Sequence, residues 1–190
     1  MADTKFDIAS RALVAIGANK IAAFDDSSAE AIAAGQHYEA TVERCLSGTP
    51  RWRWAATQAG LNRLTDTPEG RWSWAFQIPA GCLNLHAVTR AGRSIHYDRY
   101  GDKVFTDEDA DLVADYTWRP PEERFPAQWK FALEVELQAV FAGAVAKDFE
   151  LAASLRKEAV TVHWPRARTE DAQQQTARRV RGSRLVAVRG

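Results

Sequence analysis

The stretch RWSWAFQIP, residues 71–79, decides the fold class of this 190-residue chain. Trp72, Trp74, Phe76 and Ile78 occupy every second position there, which is the period of a β-strand with one buried face. The chain before and after this part follows helical spacing instead. We therefore expect an α+β fold, a helical bundle with an inserted small antiparallel β-sheet and an extended C-terminal tail.

The inserted sheet is predicted over about residues 71–118. The alternation continues through Leu83, Leu85 and Ala87, which predicts a second strand. Shorter strands are expected at 94–97, 103–106 and 112–118, and Gly92 and Gly101 are expected in the turns between strands. The aromatic face of the first strand is expected to pack against the helices, with subunit contact as the alternative.

Helices are predicted at residues 4–17, 28–47, 127–147 and 149–164. Their starts and ends carry local signals, because Thr4-x-x-Asp7 and Ser27-x-x-Glu30 resemble capping boxes and Pro165 should kink or end the last helix. Apolar residues at helical spacing are expected to face inward in that last helix: Leu151, Leu155, Ala159 and Val162. The segment RWRWAATQAGL, residues 51–61, is predicted to be a short helix or turn carrying two tryptophans.

The last 18 residues, QQQTARRVRGSRLVAVRG (173–190, the basic tail), contain five arginines and no acidic residue. The whole chain has a formal net charge of zero, so residues 1–172 carry −5. The tail has too few large apolar residues to fold alone, so we expect it to gain order by docking outside its own domain. Residues 1–165 are thus predicted to form one domain, and residues 166–190 a C-terminal extension that docks.

Several patterns are candidate chemical sites, and each favours a structural role. Asp25 and Asp26 suit a loop before a helix N-terminus better than acid–base or metal chemistry. The run TDEDAD, 106–111, could bind a cation but lacks EF-hand spacing. Trp52 and Trp54 could stack nucleic-acid bases, although core packing is favoured. His86 and His96 could meet across strands, and Cys82 near His86 is a poor catalytic dyad.

No catalytic, cofactor-binding or metal-binding motif is present, so we predict a protein that is not an enzyme and needs no cofactor. The N-terminal residues lack the pattern of a signal peptide, and no apolar run is long enough to cross a membrane. Two isolated cysteines, Cys45 and Cys82, favour a reduced cytoplasmic context.

The order of these parts resembles the head-to-tail adaptor proteins of tailed bacteriophages, the group called tail tubular protein A or head-completion adaptors, to which adaptors of gene transfer agents are related. The opening ALVAIGANKIAAFDDSSAEAIAAGQHYEATVERCL is similar to the family's two-helix pattern. TPRWRWAAT, WSWAFQIPAGCLNL and FPAQWKFALEVELQAVFAGAVAK resemble its next three segments, in the same order. Trp54, Phe76 and Gly81 stand where the family has Phe, Tyr and Asp.

The resemblance implies a ring of twelve subunits beneath the portal, at the head–tail junction of a virion assembled in a bacterial host. Such a ring would continue the DNA channel without sequence recognition and contact the next tail or stopper protein. It also implies that the basic tail clasps the portal. The residues expected to dock are Arg178, Arg179, Arg181, Arg184, Leu185, Val186, Val188 and Arg189. The alternative is a soluble DNA-binding or regulatory protein that uses the same arginines on the DNA backbone.

Overall fold

Along the chain, helices precede and follow a β-rich middle in a computed structural model that describes residues 3–48, 51–65 and 68–174. The α-helices are α1 (Lys5–Ala15), α2 (Ala29–Ser47), α3 (Ala127–Phe141), α4 (Phe149–Glu158) and α5 (Trp164–Gln173). The strands are β1 (Ala56–Gly60), β2 (Asn62–Arg63), β3 (Trp74–Gln77), β4 (Cys82–Arg90), β5 (Arg93–Ser94), β6 (Asp98–Tyr100), β7 (Lys103–Thr106) and β8 (Leu112–Trp118). The predicted α+β class is confirmed.

The first two helices begin at side-chain caps. In α1 the Asp7 amide donates to Thr4 Oγ1 at 3.2 Å and the Thr4 amide donates to Asp7 Oδ2 at 2.8 Å, so the predicted capping box is present. In α2 the cap is Ser28, one residue later than predicted, and it accepts from the Ala31 amide. Glu30 is not part of a box, because its carboxylate accepts from Asn19 instead.

The helix α3 is the centre of the bundle, since α1, α2, α4 and α5 all contact it. Its apolar residues recur at spacings of three and four and fill one continuous core with those of α1 and α2. Fully buried members include Ile8, Leu13, Tyr38, Leu46, Trp129, Leu133, Leu137 and Phe141. No helix in the described ranges is long and apolar enough to span a membrane.

A buried carboxylate joins three of these helices. Glu136 of α3 has a side chain only 5% exposed, and its Oε1 lies 3.0 Å from Arg44 Nη2 of α2 and 3.7 Å from Arg156 Nε of α4. Both arginines are about half exposed. One buried acid is therefore shared by two cations at the junction of α2, α3 and α4.

The β-rich middle consists of two antiparallel four-stranded sheets, where the sequence predicted one. Their strand orders are β1-β8-β4-β5 and β2-β3-β7-β6. The inner faces pack on each other around one apolar cluster, to which both sheets contribute. That cluster contains Leu61, Phe76, Ile78, Val88, Val104, Leu112, Ala114 and Tyr116. Strands β7 and β8 have the predicted bounds.

The prediction for residues 51–61 is right for the part that carries the two tryptophans, where residues 54–55 form a turn, and wrong for residues 56–60, which form strand β1. β1 pairs along its whole length with β8, from Ala56 opposite Thr117 to Gly60 opposite Val113. The segment has no clear period of its own. Its conformation comes from a partner strand more than fifty residues away, which a local pattern cannot reveal.

The prediction that the aromatic face of residues 71–79 packs against the helices is also wrong, since this face packs against the second sheet. Phe76 is buried in the cluster between the sheets, Trp74 packs against that cluster, and Trp72 lies against His96 with ring centroids 5.0 Å apart. Ala75, expected on the opposite face, is buried as well. A second sheet offers the apolar surface that the helices were expected to supply.

The last predicted helix is longer than expected, because Pro165 does not end it. A wide π-helical turn, Ala159–His163, connects α4 to α5, and the chain stays helical to Gln173. Proline lacks an amide hydrogen and suits the first positions of α5. The packed domain therefore extends past residue 165, its predicted end, since Ala167 and Asp171 are buried.

We expect Glu136→Gln to lower the free energy of unfolding by about 2 kcal/mol, because Arg44 and Arg156 would lose a buried counter-charge. The measurement is urea unfolding near neutral pH, followed by tryptophan fluorescence.

The matched control is Glu39→Gln. Glu39 also faces an arginine, Arg119 at 2.6 Å, but it is half exposed and Arg119 keeps a second partner in Glu122. Its loss should cost under about 1 kcal/mol. Equal losses in the two variants would contradict a special role for the buried carboxylate.

Candidate docking site at the C-terminal helix

The predicted docking residues of the basic tail lie outside the described residues. These are Arg178, Arg179, Arg181, Arg184, Leu185, Val186, Val188 and Arg189. The structure does describe the helix that leads to them, which ends at Gln173 and is followed by a turn at Gln174.

An aromatic cluster, defined as Trp52, Trp54, Phe125, Trp129 and Trp164, packs beneath this helix. Trp129 of α3 is its centre, with ring centroids 6.4 Å from Trp52, 5.0 Å from Trp54, 4.6 Å from Phe125 and 5.9 Å from Trp164. Most of these pairs meet edge to face, the favourable arrangement for aromatic rings. The cluster joins α3 and α5 to the segment that enters β1.

Trp52 and Trp54, which could have stacked nucleic-acid bases, are packed into the core. Trp52 is buried and Trp54 is half-buried, and their rings are in contact with other aromatic residues of the cluster. A stacking platform needs an open ring face. The favoured interpretation, core packing, is therefore confirmed.

A buried carboxylate fixes the end of α5 to the same segment. Asp171 accepts from the Arg53 amide at 3.0 and 3.1 Å and from the Trp54 amide at 3.3 Å. Hydrogen bonds to a charged acceptor are stronger than those between neutral groups. Because Asp171 is only three residues before Gln174, the last described residues are held beside the entrance to β1.

Two tryptophans with buried donors line a narrow cleft next to this bond. The indole N–H groups of Trp54 and Trp129 are buried, and neither has a hydrogen-bond partner among the residues that the structure describes. Glu170, Asp171 and Gln174 line the same cleft. A buried donor without an acceptor is unfavourable by about 1–3 kcal/mol, so the aromatic cluster keeps its shape at some energetic cost.

The acidic run 106–111 is engaged by protein groups. Glu108 and Asp109 are paired with Arg90, and Asp107 accepts from the amide and hydroxyl of Ser73 at 3.1 and 2.9 Å. Among the described residues no group of three or more His, Cys, Asp or Glu is arranged to hold a metal ion. The favoured interpretation, a surface loop, agrees with these contacts.

The other candidate residues are dispersed. Asp25 and Asp26 are exposed in the loop before α2. His86 lies 2.7 Å from Thr117 Oγ1, whereas His96 packs on Trp72, so the two histidines have separate partners. Burial lowers the pKa of His86, with the positive charge of Arg51 acting in the same direction.

The structure also reveals residues that sequence patterns missed. Asp171 and Glu136 each appear as ordinary charged residues of a helix, and only their burial shows that they join elements distant in sequence. The spacing of residues could have indicated the burial of Asp171. It lies four residues after Ala167, which follows the buried residues Ala159 and His163 at the same spacing, so all four lie near one face of the helix.

No protein-family model matches the chain, and no curated protein matches its sequence. The resemblance to phage adaptors therefore rests on the order of its motifs.

We expect Asp171→Ala to lower the free energy of unfolding by about 2 kcal/mol, because two backbone amides lose their acceptor. Hydrogen exchange should become faster at the amides of Arg53 and Trp54, which tests the contact itself. Glu170→Ala is the matched control, since it removes a neighbouring half-buried carboxylate that makes neither bond. Unchanged exchange at both amides in Asp171→Ala would refute this role.

The two cysteines should differ in reactivity. Burial raises the pKa of Cys45 to about 12, with the charge of Glu136 adding to the effect, and burial also raises the pKa of the less enclosed Cys82. With iodoacetamide at about pH 8, we expect mass spectrometry to find Cys82 labelled and Cys45 protected in the folded chain. Both should react in urea, and equal rates in the folded chain would contradict the burial of Cys45.

Proposed function

We propose that this chain is a head-to-tail adaptor, a structural protein of a phage or gene-transfer-agent particle. In this proposal several copies form a ring beneath the portal and extend the channel through which DNA passes. The order of the sequence motifs supports it, and so does an α+β fold in which antiparallel sheets are inserted between helices along the chain. The ring would also present a surface for the next tail or stopper protein.

One observation carries most of the proposal, namely the separation of charge along the chain. Residues 1–174 contain 20 Lys and Arg against 25 Asp and Glu, and the last 16 residues contain five Arg and no acid. This basic segment follows a helix whose end is held by Asp171. A cationic segment leaving an acidic body at a fixed point suits docking onto a separate acidic surface.

The proposed mechanism is multivalent. A single tail would bind its portal subunit weakly, through arginines on acidic portal surface and through Leu185, Val186 and Val188 as apolar anchors or an added strand. Tails held in one ring bind together and gain avidity from their high effective concentration. The DNA would slide through the ring without base recognition.

The test compares the full chain with a chain ending at Thr176. Each is mixed with a portal protein from the same genome, and co-assembly is followed. Native mass spectrometry and electron microscopy should show a ring on the portal for the full chain and none for the truncated one. A third chain with Leu185, Val186 and Val188 changed to serine keeps every arginine. It therefore separates apolar anchoring from charge.

The alternative function predicts a different outcome. A DNA-binding protein would bind free duplex through the five arginines, with affinity falling steeply as salt rises. If the full chain stays monomeric with the portal and binds free duplex in this way, the adaptor proposal fails and the DNA-binding alternative replaces it.

A further inference from the structure

Strand β1 lies at the end of its sheet, with β8 on one side of it. Among the described elements, β8 alone packs along its length. Gln58 and Gly60 are exposed, and no described atom lies within 4 Å of the position that a Cβ atom of Gly60 would take. We call the outer side of residues 56–60 the open edge, since solvent can reach it.

The register of β1 shows which of its backbone groups point to the open edge. Just after β1, the amide of residue 61 donates to the Leu112 carbonyl at 2.8 Å, and just before β1 the carbonyl of residue 55 accepts from the Trp118 amide at 3.1 Å. Hydrogen bonding alternates along an antiparallel pair, so residues 57 and 59 are also bonded to β8. Gln58 and Gly60 therefore turn their amides toward the open edge.

The other three end strands have features that discourage pairing, and β1 has none of them. β2 and β5 contain two residues each, and one residue of each pair is an arginine. β6 has three residues, of which Asp98 and Arg99 are charged. β1 has five residues, ATQAG, without a charge or a proline, and its register with β8 has no bulge. Short strands, charges and bulges prevent pairing at an edge, so β1 is suited to receive another strand.

The last described residues are held close to the start of this strand. Asp171 accepts from the amides of Arg53 and Trp54, and Gln174 lines the same cleft as Trp54, which is two residues before β1. Sixteen residues, 175–190, follow Gln174 and lie outside the described residues.

The length and sequence of this C-terminal segment suit the open edge. Residues 184–189 (RLVAVR, the apolar run) place four apolar residues between two arginines, and the two β-branched valines favour a strand. The residues before the run, 175–183, can span up to about 30 Å, whereas β1 is about 17 Å long, so the run can reach any point of the edge. A segment tethered this close to its site has a high effective concentration, which favours even a weak contact.

We propose that, before assembly, the apolar run adds a strand to the open edge of β1 in its own copy. The amides of Gln58 and Gly60 would then donate to carbonyls of the run. Closing the edge in this way keeps free copies from pairing with one another through β1.

This inference goes beyond the proposed function, because it concerns the free subunit and needs neither ring nor portal. In an adaptor, the apolar run would leave β1 when the portal is met. The many tails of one ring bind the portal together, so their avidity exceeds the single contact that each tail gives up.

Hydrogen exchange followed by NMR tests the contact in the isolated protein. The full chain is compared with the chain ending at Thr176, both without portal. We expect the amides of Gln58 and Gly60 to exchange at least about fivefold more slowly in the full chain. The amides of residues 57 and 59 are bonded to β8 and should be protected equally in both chains, which also shows that the truncated domain is folded.

Substitutions in the full chain separate the apolar run from the charge of the tail. Changing Leu185, Val186 and Val188 to serine should remove the added protection of Gln58 and Gly60, because serine lowers both strand propensity and apolar contact. The matched control changes Arg178 and Arg179 to serine. It leaves the apolar run intact and should keep the protection, so loss of protection in the control alone would overturn the proposal.

A spin label distinguishes the same copy from a second one. A nitroxide on Gly190→Cys, in a chain that also carries Cys82→Ser, should broaden the amide signals of β1 in that chain. In a mixture of isotope-labelled unmodified chain and unlabelled spin-labelled chain, those signals should stay sharp. Broadening in the mixture would place the run on a second copy and overturn the proposal.

The outcomes separate this inference from the proposed function. Equal exchange at Gln58 and Gly60 in the full and truncated chains overturns the contact with β1, and the adaptor proposal stands if a ring still forms on the portal. Slower exchange in a full chain that forms no ring supports the contact and overturns the adaptor proposal.

Discussion

The burial of Trp129 is the constraint on which the rest of the structure depends. Its indole contacts four other aromatic rings, which belong to the segment before β1, the turn before α3 and the start of α5. Removing one such ring from a core typically costs 3–5 kcal/mol. Trp129 thus joins three parts of the molecule in one packing unit: the helical bundle, the segment that enters β1, and α5 at the base of the basic tail. A displacement of one part would disturb the packing of the other two.

The sequence predicted most features that depend on neighbouring residues. The cap at Thr4, the bounds of β7 and β8 and the apolar stripe of α3 all follow from residues a few positions apart. These signals are local, because a cap needs four residues and a strand period needs about five. The fold class followed from the change of period at residues 71–79.

The features that the sequence did not predict depend on contacts between distant residues. β1 needs β8, the second sheet replaces the helices as the partner of Phe76, and α5 continues because a wide turn precedes Pro165. The candidate site follows the same rule. The arginines of the tail are evident from composition, whereas the role of Asp171 appears only when α5 is placed beside the segment that enters β1.

The wide turn at Ala159–His163 has a consequence for how the length of this chain can change over evolution. A π-helical turn contains about one residue more than the α-helical turn it replaces. Deleting one residue there would restore an α-helical turn and leave the residues beyond it on nearly the same side of the helix. A deletion between Trp164 and Asp171 has no wide turn to absorb it, so it would rotate Asp171 by about 100° away from the Arg53 amide. Single-residue deletions should therefore be tolerated at the wide turn and selected against in α5.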